Sequence, residues 1–191
     1  MKKLVAILFF TLISVFSFAQ EDRKHMEFMG VEMNGSLEQF AEKLRNKGLA
    51  IKDVYDDMII LNGEFAGEQD CEISVLASQG IIYRVSVFFP IRDSWYSLRS
   101  DYITFKDALS KKYIKPIKQL ETFEYPFELG DGHEITAVKA DKCSYISQFK
   151  IFTGDIYVAI SKFCRLTITY DDYLNMKIYE TNKAKEISDD L

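Results

Sequence analysis

The sequence predicts an α+β fold built from two successive units, each a helix followed by a four-stranded antiparallel meander, able to share one curved sheet. Three observations predict it. Apolar residues change from helical spacing to alternation after Gly48, and a second helical stripe ends near Tyr113 before alternation resumes. The loops between alternating runs are short and carry Gly, Asp or Asn, which forces neighbouring strands to be antiparallel. Phe and Tyr are abundant, at 15 and 11 residues, against 3 prolines, a balance that suits strands.

The chain opens with Met1-Lys2-Lys3, and the segment Leu4 to Phe18 then carries no charge. Ser17-Phe18-Ala19 puts small residues where a signal peptidase reads, so residues 1–19 read as a signal peptide cut before Gln20. The run is shorter than the roughly 20 apolar residues that span a bilayer. Residues 20–191 are then one exported domain, periplasmic or secreted, with approximate halves 26–90 and 91–191 and no expected membrane insertion. Loss of Lys2 and Lys3 moves the formal charge from −5 to about −7. An acidic chain does not suit nucleic acid, whose binding needs clustered cations.

Phe28-Met29-Gly30-Val31 reads as a short apolar lead-in before the turn Asn34-Gly35. Ser36 and Gln39 have capping-box spacing, and Leu37, Phe40, Ala41 and Leu44 follow at helical period to the stop at Gly48. Strands are expected at Ala50 to Tyr55 and Met58 to Phe65, with a turn at Gly67 to Asp70. Next come a strand placing Cys71, Ile73, Val75 and Ala77 on one face, and a strand placing Ile81, Tyr83, Val85, Val87 and Phe89 on one face. Asp93 or Ser94 caps a second helix, whose stripe runs Trp95, Leu98, Tyr102, Phe105, Leu109, Tyr113. Leu120 to Leu129 is extended and acidic. Four strands are expected at His133 to Ala140, Tyr145 to Phe152, Ile156 to Ser161 and Cys164 to Tyr170, with a polar helix at Asn182 to Asp190.

The segments Phe28 to Ser36, Leu61-Asn62-Gly63-Glu64-Phe65-Ala66-Gly67, Val87-Phe88-Phe89-Pro90 with Trp95 and Leu98, and Asp189-Asp190-Leu191 resemble a group of small exported proteins of Gram-negative gut bacteria. That resemblance spans nearly the whole exported chain and implies no chemistry. The helix-plus-four-strand tandem also resembles the β-lactamase-inhibitor-protein-like fold in architecture, with no inhibitor contact residue matched.

Chemistry-bearing clusters are sparse. Asp131-Gly132-His133-Glu134 holds one of only 2 histidines, and His133 with Asp131, Glu134 or Cys143 is the arrangement a small periplasmic hydrolase or metal protein would use. Against it, neighbours on a strand point to opposite faces, and no HxH, HExxH or CxxC completes a ligand set. Cys71 and Cys164 share strand faces with aliphatic residues, while Cys143 sits in a polar turn and is the more reactive candidate. Three cysteines cannot close a disulfide framework, and pairing of any two stays open. No phosphate loop or nucleophile elbow is present, and no cofactor is expected. The favoured function is non-enzymatic binding of an envelope or extracellular protein or peptide. If Phe89 faces the core, Phe88 and Ile82 share the other face, and with Trp95 and Tyr96 they are candidate binding residues.

Overall fold

The computed structural model describes residues 24–191, so the signal peptide read at 1–19 lies outside the described residues. The chain enters through a two-stranded hairpin, β1 (Glu27–Phe28) and β2 (Val31–Glu32), in place of a plain lead-in. Helix α1 (Leu37–Arg45) starts as the capping box predicts. Ser36 Oγ accepts from the Gln39 amide at 3.3 Å, and the Gln39 side chain accepts from the Ser36 amide at 3.5 Å. Its Leu37, Phe40, Ala41 and Leu44 are buried.

Strands β3 (Ala50–Val54), β4 (Met58–Phe65), β5 (Glu68–Ser78) and β6 (Ile81–Phe88) follow as consecutive hairpins. Ala66-Gly67 and Gln79-Gly80 both adopt positive φ at both residues (52° and 87°; 50° and 78°), the left-handed geometry that matches strand twist. The first of these turns therefore falls earlier than Gly67 to Asp70, and β5 already runs through Asp70, which sits at positive φ where β4 and β5 slip register between Gly63 and Phe65.

Helix α2 (Trp95–Tyr113) is capped by Ser94, whose hydroxyl accepts from the Ser97 amide at 3.2 Å. It buries Leu98 and Tyr102, and the Tyr102 hydroxyl meets Ser147 Oγ at 2.7 Å. The second set of strands is β7 (Lys118–Phe123), β8 (Cys143–Ile151), β9 (Gly154–Ser161) and β10 (Arg165–Asp172). Helix α3 (Glu134–Lys139) lies between β7 and β8, and α4 (Tyr173–Asp190) ends the chain. All eight long strands form one antiparallel sheet in the order β3-β4-β5-β6-β10-β9-β8-β7. The last strand of each set, β6 and β10, meets its counterpart at the centre. Buried residues of α1 and α2 share a single core with Ile73, Val87 and Ile168 of the sheet.

Four further sequence expectations change. His133 to Ala140 is not a strand. Glu134–Lys139 is helical, and the first strand of the second set is Lys118–Phe123, overlapping the start of the stretch Leu120 to Leu129 read only as extended. Short apolar runs fit both periods, and local bonds decide here. The Asp131 carboxylate accepts from the Glu128 and His133 amides at 2.9 and 2.7 Å, and Glu134 accepts from the Gly130 amide at 2.9 Å. The terminal helix is longer than expected, starting at Tyr173, because Asp172 caps it by accepting from the Asn175 amide at 2.8 Å. Cys143 begins β8 instead of lying in a turn.

The fourth change concerns Ile82. Leu76 pairs with Arg84, yet Ala77 pairs with Ile82, so Tyr83 is an extra residue on β6. Because side chains alternate, one inserted residue moves everything beyond it to the other face. Ile82 is consequently fully buried in the core at 0% exposure and does not share a face with Phe88.

Candidate functional site

The two faces of the sheet differ sharply, and two adjacent cross-strand rows show it. Leu61, Ile73, Val87, Ile168, Val158 and Ser147 stand opposite one another across six strands, and all are buried. One residue along each strand, the row Asn62, Glu72, Phe88, Thr167, Ala159, Ile146 is partly or fully exposed throughout, and it extends to exposed Leu120 on β7. The helices α1 and α2 cover the first face; the second is open over most of its width.

Phe88 lies at the middle of this open face. Arg165, on the neighbouring β10, holds its guanidinium 5.3 Å from the Phe88 ring centroid. It is locked there by donating from Nε to the Phe89 carbonyl at 2.7 Å and from an Nη to the Phe88 carbonyl at 3.1 Å. A cation held by two backbone carbonyls over an aromatic ring is a rigid amphipathic platform. Beside it, Gln148 donates to the Tyr157 hydroxyl at 3.2 Å and to Asp155 at 3.3 Å, and Ser86 meets Thr169 at 3.2 Å. Thr167 Oγ1 is buried among these side chains with no hydrogen-bond partner among the described residues. Lys52 and Glu72 pair at 3.0 Å towards the β3 edge.

Helix α4 covers the other end of the face. Arg84 grips Asp171 with two bonds of 2.6 and 2.7 Å, and that carboxylate raises the guanidinium pKa further above its usual value. Tyr83, turned out by the extra residue on β6, stacks on Tyr179 of α4 with centroids 4.1 Å apart. Between helix and sheet lies a groove of about 730 Å³ lined by Arg84, Asp155, Tyr157, Tyr179 and Lys183.

The four residues singled out from sequence are scattered. Phe88 is on the open face and Ile82 is in the core. Trp95 is half-buried on the helix side, edge-on to Phe123 and Tyr145 at 5.3 and 5.0 Å. Tyr96 is 84% exposed, also on α2, where it helps line a shallow pocket of about 370 Å³ with Arg99 and Leu129. Sequence reading missed Arg165 and Tyr157. Nothing local showed that Arg165 reaches across to Phe88.

Both carboxylates of the rival cluster have a structural use. Asp131 and Glu134 hold backbone amides of their own loop, and the Glu128 and His133 amides keep the Asp131 pKa below its ordinary value. Cys143 is half-buried, and burial pushes its thiol up to about 12, far from a reactive thiolate. Burial likewise pushes Cys71 up to about 11. All three cysteines are free thiols. Among the described residues no group of three or more His, Cys, Asp and Glu converges as a metal would require. No helix among them is long and apolar enough to cross a membrane. Comparison with family profiles, with curated proteins and with solved structures finds no match.

Proposed function

We propose that this is an exported, non-enzymatic protein that binds a protein or peptide partner across the open face of its sheet. The observation that carries the reading is the exposed row across the strands with Phe88 at its centre under the guanidinium of Arg165. Aromatic and arginine side chains held rigidly at the middle of a surface are the residue types that dominate binding energy, since little conformational entropy is lost when they are covered. The uncharged run Leu4 to Phe18 supports export to the periplasm or beyond. Two sets of four consecutive strands that join through their last members support a tandem of the β-lactamase-inhibitor-protein-like kind.

The test is site-directed photo-crosslinking in expressing cells, with the photoreactive residue at position 88 or, as control, at exposed Lys111 on α2. The reading expects a discrete adduct from position 88 alone, and its loss in an Arg165→Glu background whose thermal unfolding is unchanged. Adducts from both positions, or from neither, would overturn it.

A further inference from the structure

On the helix side of the sheet, away from the proposed binding face, a cavity of about 460 Å³ lies beneath the N-terminal strap. Its roof is Lys24 to Gly30, its side wall is the end of α2 at Leu109, Lys112 and Tyr113, and its floor is the sheet at Phe65, Ile156 and Tyr170. The roof is fastened rather than draped. The Met26 amide donates to the buried Asp172 carboxylate at 2.6 Å, and His25 Nδ1 stands 3.3 Å from both oxygens of that carboxylate. The volume falls within the roughly 300–1,000 Å³ of small-molecule sites.

The lining has two characters. Met29, Phe65, Leu109, Ile151 and Ile156 make it apolar. Lys24 and Lys112 stand at it with one lining carboxylate, Glu27, while the Asp172 carboxylate behind the roof is taken up by the Met26 amide and His25, so two ammonium groups are left at the cavity. Tyr170 is held edge-on to Phe28 at 5.3 Å and lines the cavity. Burial raises the Tyr170 pKa well above that of a free phenol, so at neutral pH this hydroxyl is a proton donor. The helix end at the cavity is a C-terminus, whose partial negative charge opposes any anion and a phosphate dianion more than a monoanion, so the attraction for a carboxylate comes from the two lysines.

We propose that this cavity is a binding site for a small amphipathic carboxylate of the medium-chain fatty-acid class, its alkyl body against Phe65, Leu109 and Ile156 and its carboxylate met by Lys24, Lys112 and the Tyr170 hydroxyl. The site does not depend on the sheet-face reading, and either can fail alone.

The experiment is titration calorimetry of the purified protein, with decanoate as the probe and decan-1-ol as its uncharged counterpart. Saturable binding of one decanoate per chain is expected, at least tenfold tighter than the alcohol. Lys112→Glu, at an exposed position, should weaken decanoate about tenfold and leave the alcohol unchanged, a difference of about 1.4 kcal/mol. Leu109→Trp fills the cavity and should abolish both. No saturable decanoate binding up to about 1 mM, equal binding of the alcohol, or indifference to Lys112→Glu would each overturn the proposal.

Discussion

Asp172→Ala tests whether the two ends of the chain are tied through one side chain. The carboxylate is fully buried and accepts from the Asn175 amide at 2.8 Å and the Met26 amide at 2.6 Å. The first bond caps α4, and loss of a cap costs about 1 kcal/mol. The second satisfies a buried donor on a segment 146 residues away, and leaving it unpaired costs about 1–3 kcal/mol more. The sum is about 3 kcal/mol, which for a domain of this size lowers Tm by about 10 °C. Guanidinium denaturation should show a lower midpoint with an unchanged slope, since the surface exposed on unfolding is the same. His25→Ala should cost far less, because that side chain is 30% exposed and solvent replaces part of what it loses. A loss below about 1 kcal/mol in Asp172→Ala would refute the reasoning, because no arrangement with both amides stranded could be that mild.

Two further outcomes follow from placement and burial. Ile82→Ala should cost about 2–5 kcal/mol in equilibrium unfolding, whereas Leu120→Ala, at a residue 44% exposed on the β7 edge, should stay near 0.5 kcal/mol; similar small losses for both would put Ile82 back on the open face. Cys71 and Cys143 have pKa values raised by burial to about 11 and about 12, so the folded state holds these protons more tightly than the unfolded chain. The stability this contributes is fully present below the unfolded thiol pKa of roughly 8.5 and is lost as pH rises towards 11 and 12. The denaturant midpoint should fall from about pH 9 upward, and Cys143 should alkylate at pH 8 far more slowly than a free thiol; a rate equal to that of glutathione would sink the assignment.

What the sequence determined by itself is what neighbours along the chain decide. The Ser36–Gln39 box, the stripe of α2 and the turn at Gln79-Gly80 involve residues a few positions apart, and their spacing names them. The α+β class and the antiparallel neighbours follow, because short loops leave strands no other partner. What only the tertiary structure decided is where distant segments meet. One extra residue at Tyr83 sends Ile82 inward, a choice made by pairing with β5 and invisible to alternation counted along β6 alone. Glu134–Lys139 could have served as strand or helix until its loop amides found Asp131 and Glu134, leaving Lys118–Phe123 to pair with β8. The Arg165–Phe88 platform and the Asp172–Met26 tie join residues 77 and 146 positions apart. Such contacts carry no local signature, because the hydrogen-bonding demand that creates them arises only once burial has removed water from both partners.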